Sequence, residues 1–250
     1  MPAPVQLTPV DLGPGVGAVF STRHGGVSAP PYDQLNLGYH VGDDWDRASA
    51  NRQLLATAIG SPLERCCYAH QVHGERVLTV GERQVGTVRT RRGRRDADAL
   101  VTGVADAPLV ILVADCVPVL LADPEARVVG AVHAGRQGLV AGVVGAAVAA
   151  MRAAGAGEIR AAIGPSVCAG CYELPADLAA AVDAAVPGTA SRTRGGAPSV
   201  DLAAGVAAQL AALGVTASRD GRCTIESPEL FSHRRDGVTG RFAGVIWLEP

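Results

Sequence analysis

The segment Leu109 to Gly138, LVILVADCVPVLLADPEARVVGAVHAGRQG, limits what this chain can fold into more than any other stretch. It reads as three short strands followed by a helix start. LVILVA is a continuous apolar run of strand length that Cys116 and Pro118 interrupt; VLLAD resumes it, Pro124-Glu125-Ala126-Arg127 turns, and VVGAVHA runs back. Two soft ligands fall at strand ends: Cys116 follows Asp115 where one apolar strand stops, and His133 closes the next long strand just before Gly135 and Gly138. A strand-end Cys and a strand-end His, joined through one turn, meet at one edge of a sheet. That arrangement suits a metal site or a Cys-His catalytic pair.

Around this segment the chain alternates strand and helix signals without strict βα order. Val16 to Ser21 reads as a strand leading into Thr22-Arg23-His24-Gly25-Gly26-Val27-Ser28, a glycine-containing loop whose backbone is open to close approach by a ligand. Helices are expected from about Asp46 to Ile59, from Gly138 to Ala154, from Pro175 to about Val186, and after Ser199, which serves as cap for a helix marked by Leu202, Val206, Leu210 and Leu213. Ser191 to Pro198 reads as loop, and Ile159 to Ile163 and Ala243 to Leu248 as strands. The expectation is an α/β (α+β) fold with a mixed β-sheet core and flanking helices, in one domain over residues 1–250.

Composition excludes several function classes. A formal net charge of −2 gives no general attraction to nucleic acid or acidic membranes. The arginine-rich stretch Gly81 to Arg95 lacks the interleaved aromatics of a base-stacking surface and reads as a mobile surface loop, with anion collection as the alternative. Neither GxxxxGK[ST] nor GxGxxG follows a strand. The first residues, MPAPVQLTPVDLGPG, show no signal-peptide pattern, and Leu139 to Met151 is too short and too rich in Gly and Ala to span a bilayer, so a cytoplasmic protein with reduced cysteines is expected. Cys168-Ala169-Gly170-Cys171 follows Gly164-Pro165-Ser166 in a turn and does not open a helix after a strand, which argues against a thioredoxin-type pair. Adjacent Cys66 and Cys67 read as small buried residues.

The third candidate ligand comes from Cys67-Tyr68-Ala69-His70-Gln71-Val72-His73-Gly74. In a regular strand His70 and His73 point to opposite faces, and His73, beside Gly74, is the better site residue. His73, Cys116 and His133 together would offer three ligands of mixed N and S type with one position open, as a catalytic zinc uses; on spacing alone, ordinary core positions are the alternative reading.

Taken in order, Ser21-Thr22-Arg23-His24-Gly25-Gly26-Val27-Ser28 with Leu35-Asn36-Leu37, Gln71-Val72-His73-Gly74, Asp98-Ala99-Leu100, Ala114-Asp115-Cys116-Val117-Pro118, Val132-His133-Ala134-Gly135, Ile163-Gly164-Pro165, and Phe231-Ser232 through Gly240-Arg241 resemble the YfiH, or laccase-domain, family over nearly the whole chain. The resemblance implies a mixed α/β fold and a zinc held by His73, Cys116 and His133. It also implies phosphorolysis of adenosine, inosine and methylthioadenosine, with adenosine deamination beside it. Older names for such proteins are polyphenol oxidases, and a cell-wall precursor editing role has been assigned as well. One departure is Arg136-Gln137, where the family usually has Trp-Arg after HAG.

A conventional multicopper oxidase is excluded by counting, since six His cannot supply its copper cluster in addition to a blue-copper site; a His₂Cys site still accepts copper. The partners expected are purine nucleosides and phosphate. Arg23 is the candidate anion contact, and Asp98 or Asp115 the candidate proton handler, each also explicable as a capping group. Two rivals stand beside this reading: a metal-free cysteine hydrolase with Cys116 as nucleophile and His133 as base, and a partner-binding protein with a structural zinc.

Overall fold

The computed structural model describes residues 3–86 and 95–250, so residues 87–94 of the expected arginine-rich loop lie outside the described residues, while its start holds a short 3-10 turn at Glu82–Gln84. In chain order the strands are β1 (Leu7–Pro9), β2 (Val16–Ser21), β3 (Cys67–Tyr68), β4 (Val77–Thr79), β5 (Ala99–Thr102), β6 (Leu109–Val113), β7 (Val117–Asp123), β8 (Val128–Ala134), β9 (Arg160–Ile163), β10 (Ala190–Arg192), β11 (Pro198–Val200), β12 (Thr216–Arg219) and β13 (Phe242–Leu248). The helices are α1 (Trp45–Ala58), α2 (Arg136–Ala141), α3 (Val143–Ala153), α4 (Ala176–Ala185), α5 (Leu202–Ala212) and α6 (His233–Asp236).

Two mixed sheets carry the fold, one in the order β1-β2-β13-β6-β3 and the other β12-β9-β7-β8-β5-β4, with β10 and β11 forming a separate hairpin. The continuous apolar strands of the central segment are explained by burial on both faces. Along β7, Leu120 and Ala122 point into a layer between the sheets with Phe20, Ile111 and Phe242. Val117, Val119 and Leu121 point the other way, against α3 and α5 residues such as Val144, Val148 and Val206. β6 alternates likewise, its Val110 and Leu112 joining Leu55 of α1 on the outer side of the first sheet. All three Phe of the chain, Phe20, Phe231 and Phe242, are fully buried in the layer between the sheets, where truncation to Ala costs about 3–5 kcal/mol.

Several local expectations change. The helix expected from Gly138 to Ala154 is broken at Gly142, whose φ of 96° ends α2 and starts α3. Asp201, not Ser199, caps α5, accepting a 2.8 Å hydrogen bond from Ala204 N; Ser199 lies inside β11 opposite Ser191. Part of the loop expected from Ser191 to Pro198 is that hairpin. β12 was not expected: its residues are exposed and show no apolar alternation, and it is held as an edge by parallel pairing to β9.

The loop after β2 also differs from its reading as a ligand-facing turn. A Cβ at Gly25 would lie 2.5 Å from Pro4 O, and one at Gly26 2.4 Å from Gln34 O, so these glycines permit close packing of the chain on itself. Buried Asn51 of α1 fastens the loop, accepting from Val27 N and donating to Ser28 Oγ, Gln34 O and Asn36 O at 2.8–3.1 Å.

Candidate metal centre and its cavity

Strand register brings the candidate ligands together. In the β7–β8 hairpin Pro118 lies opposite His133 and Val117 opposite Ala134, which sets Cys116 beside the end of β8. Ala99 of β5 pairs with Val132 of β8, and the residue before it, Asp98, accepts from His133 N at 2.7 Å. Gln71 holds the third element by a double hydrogen bond to Leu112 of β6, 2.7 Å to the carbonyl and 2.9 Å from the amide. Two residues later His73 takes a left-handed φ of 62°, and Asp115, next to Cys116, takes 93°. Left-handed backbone at non-glycine residues is unusual, and here it occurs twice beside the same cluster.

The ligand atoms of His73, Cys116 and His133 all lie within 4.8 Å of one another, with His73 Nε2 3.8 Å from Cys116 Sγ and the two imidazoles edge to face at 4.7 Å between centroids. His70 is not in the cluster; its ring pairs with Asp96 at 2.8 Å. Asp98 organises the set. Its carboxylate receives His133 Nδ1 at 2.8 Å and the backbone N–H groups of His73 and Gly74 at 2.9 and 2.7 Å. A Nδ1–H donated to Asp98 leaves His133 Nε2 to face the cluster, the arrangement that fixes the tautomer of metal-binding imidazoles. Asp98, read from the sequence as a candidate proton handler, is fully buried, and its carboxylate is engaged by His133 and by the backbone of His73 and Gly74.

Charge follows the same geometry. Burial pushes Asp98 up, but hydrogen bonds from His133 and the backbone N–H groups of Gly74 and Val72 outweigh it and lower its pKa. Burial likewise opposes ionisation of Cys116, yet the charge and hydrogen bond of His133, together with His73, bring its thiol down to about 6. Burial lowers His133, while the Cys116 thiolate and Asp98 raise it to about 9. Both shifts run in the direction of a thiolate–imidazolium pair. Two imidazole nitrogens and a thiolate, close enough for one ion to bridge after small side-chain adjustments, fit zinc with one position left open.

The cluster lies in the wall of a cavity of about 420 Å³, within the range of small-molecule sites. Three guanidinium groups, from Arg136, Arg234 and Arg241, also line it, with Tyr172. Arg234 lies over the Tyr172 ring at 4.9 Å and donates to Glu173 O at 2.8 Å. Arg241 is held through its backbone N–H by buried Asn36 at 3.0 Å, and burial lowers its pKa. Asp115 lines the cavity too, but its carboxylate already accepts from Thr224 Oγ1, Ser232 Oγ and Arg234 N at 2.6–2.7 Å, which braces the loop carrying Cys116. Arg23 does not line this cavity: its guanidinium is bound by Asp33, 3.2 Å to the carboxylate, and covers Phe231 at 4.6 Å. Sequence reasoning passed over Tyr172, Arg234 and Arg241 as site residues. The signal available was the basic run Ser232-His233-Arg234-Arg235 ahead of the last strand, with Arg241 just before that strand.

The family model described as "Multi-copper polyphenol oxidoreductase laccase" matches residues 17–249. The chain belongs to this family. Among relatives, a purine nucleoside phosphorylase of Mycobacterium tuberculosis is 49% identical over 234 residues, covering 92% of this chain and 91% of that protein. One of Streptomyces griseus is 50% identical over 238 residues, covering 92% and 93%. The crystal structure of YlmD from Geobacillus stearothermophilus superposes with a TM-score of 0.86 at 33% identity, over 95% of this chain and 93% of that one. The family description speaks of several coppers, yet of the six His here only His73 and His133 enter the cluster.

Proposed function

We propose that this chain, acting as one catalytic unit over residues 1–250, is a zinc-dependent purine nucleoside phosphorylase. It converts adenosine, inosine and methylthioadenosine to the free base and ribose 1-phosphate or its methylthio analogue, and it also deaminates adenosine. The observation that carries the reading is the convergence of His73, Cys116 and His133 beside three guanidinium groups in one cavity of ligand size. The names of the relatives support the reaction class. A cytoplasmic location agrees with reduced cysteines, and no helix among the described residues is long and apolar enough to cross a membrane.

His73, Cys116 and His133 would hold the ion, which when bound supplies Lewis-acid polarisation of an oxygen or nitrogen at the reacting centre. A His₂Cys set also accepts copper, but the chain's six His argue against a laccase of the multicopper kind. In phosphorolysis, a phosphate oxygen bonds to the sugar carbon as the bond to the base breaks, and the departing base takes a proton. The attacking anion needs positive charge around it before the base leaves. We assign that work to Arg136, with Arg234 and Arg241 beside it, in place of Arg23. Arg136 stands where the family resemblance usually has Trp, and it brings the charge that the following position has lost to Gln137. Asp98 and Asp115 position ligands and loops. Deamination uses water where phosphorolysis uses phosphate, so it depends less on the arginines.

A second reading is favoured by the ionised Cys116–His133 pair, which is what a metal-free cysteine hydrolase needs. Product analysis separates the two. Adenosine with phosphate is expected to give adenine and ribose 1-phosphate, and adenosine without phosphate inosine alone. Absence of ribose 1-phosphate and of any free purine base in the presence of phosphate would remove the phosphorylase reading.

A further inference from the structure

A second group of ligand side chains stands apart from the cavity cluster. Cys168 and Cys171 lie in the loop after β9, and Cys223 and Glu226 in the segment between β12 and α6. Their four ligand atoms lie within 4.8 Å of one another. Each pair is a ligand-x-x-ligand turn of the same build. Cys171 N and Tyr172 N both return to Cys168 O at 3.0 Å, while Glu226 N and Ser227 N return to Cys223 O at 3.1 and 2.9 Å. The two turns face each other. Cys168 N donates to Cys223 Sγ at 3.3 Å, the kind of N–H···S contact that stabilises a thiolate, and Cys171 Sγ lies 3.3 Å from Glu226 Oε1. Backbone pairing locks the approach, since Ser166 bridges Cys223 and accepts from Thr224 N at 3.1 Å.

We propose that Cys168, Cys171, Cys223 and Glu226 form a second zinc site, structural in kind. Three thiolates and a carboxylate fill all four tetrahedral positions, so no position stays open for a substrate. A dithiol redox pair would need two of these sulfurs, whereas the convergence here is of three sulfurs and a carboxylate. Four anionic ligands leave the complex with a net negative charge, and Arg194, whose Nη1 touches both Cys171 Sγ and Glu226 Oε1, stands ready to offset part of it from outside the ligand shell.

The site would fasten two walls of the cavity. Tyr172, which lines the cavity, follows Cys171, and Glu173 O accepts from Arg234; Thr224, which follows Cys223, donates to Asp115 at 2.6 Å. An ion there joins the loop carrying Tyr172 to the segment that braces Asp115 and Cys116. This site does not depend on the reaction proposed above, and its test is independent of turnover.

The experiment is metal analysis of tag-free, full-length protein purified without chelator. Wild-type protein is expected to carry about two zinc ions, and Cys116→Ala, which lacks the cavity site, about one. Adding Cys223→Ser to Cys116→Ala should remove the remaining ion. Cobalt soaked into metal-free Cys116→Ala protein should give the intense sulfur-to-metal charge-transfer band of several thiolates, and Glu226→Gln should shift its visible bands. Cys116→Ala protein without zinc, without a cobalt–thiolate band, or with two of the three thiols joined as a disulfide would overturn the proposal.

Discussion

At the scale of single residues, Asp98 carries the most weight for its size, because one carboxylate orients His133 and anchors the backbone of His73. Asp98→Asn keeps the shape but removes the charge and turns one accepting oxygen into a donor that faces an N–H group. Zinc affinity, measured by competition with a chromophoric chelator, should fall about 10–100-fold, the usual loss for a partner behind a metal ligand. Unchanged affinity would show that the histidines hold themselves. Protons give a second test. Below about 9 His133 is an imidazolium and above about 6 Cys116 is a thiolate, so near pH 8 zinc should displace about one proton, from His133. On acidification through 6 the thiol must lose its proton as well, so affinity should fall more steeply there. Calorimetry in buffers of different ionisation enthalpy counts the protons, and release of none at pH 8 would contradict the ionised pair. Arg136→Ala should raise the Michaelis constant for phosphate about ten- to a hundred-fold, the loss of one charge-assisted hydrogen bond, with zinc retained and deamination less affected. Arg23→Ala should leave that constant unchanged, and the opposite pattern would restore Arg23 as the anion contact. As candidate ligands Cys116 and His133 stood out in the sequence because strand-end Cys and His are rare chemistry at predictable positions, and the family resemblance set His73 beside them. The arginines did not, because arginine is common on surfaces and only the fold separates Arg241 in the cavity from Arg23 beneath Asp33.

At the scale of elements, the hairpin of β7 and β8 and the turn into α2 set the spacing of the centre. Gly135 is the tight point: a Cβ there would stand 2.8 Å from His73 Cδ2 and 3.0 Å from Cys116 Sγ. Its φ of −77° suits any residue, so Gly135→Ala strains only the contact. The atoms it meets are side-chain ends that are able to turn away. The fold should therefore survive, with a cost of at most about 1–3 kcal/mol from overpacking, seen as a small drop in Tm. Zinc affinity should fall about tenfold or more, because ligands displaced by a fraction of an ångström no longer converge. A variant with wild-type affinity would mean that the cluster has more room than its contacts imply. Elements with strong apolar runs, β6, β7, β8 and β13, were legible because burial on both faces demands such runs. β10 and β12 were not, since their residues are mostly exposed and carry no periodic signal, and the three residues of β11 are too few to show one. The break at Gly142 was hidden because Gly138 and Gly145 on either side of it lie inside helices.

At the scale of the molecule, the two sheets bury their shared layer around Phe20, Phe231 and Phe242, and the loops at one end of them converge on the cavity. A mixed α/β composition was legible; the division into two facing sheets was not, since it is set by which strands pair across long separations, as β2 and β6 do with β13. The same long-range pairing brings Arg241, just before β13, into the lining of the cavity that His73, Cys116 and His133 share. In the proposed function, phosphorolysis depends on an ion held by His73, Cys116 and His133. This dependence is tested most directly by titrating zinc into metal-free wild-type protein and following phosphate-dependent release of adenine from adenosine. The rate should rise from near zero in step with occupancy of the cavity site, and Cys116→Ala should stay inactive at every zinc concentration. A full rate in protein shown to be metal-free would contradict the account and leave the ionised Cys116–His133 pair as the working chemistry.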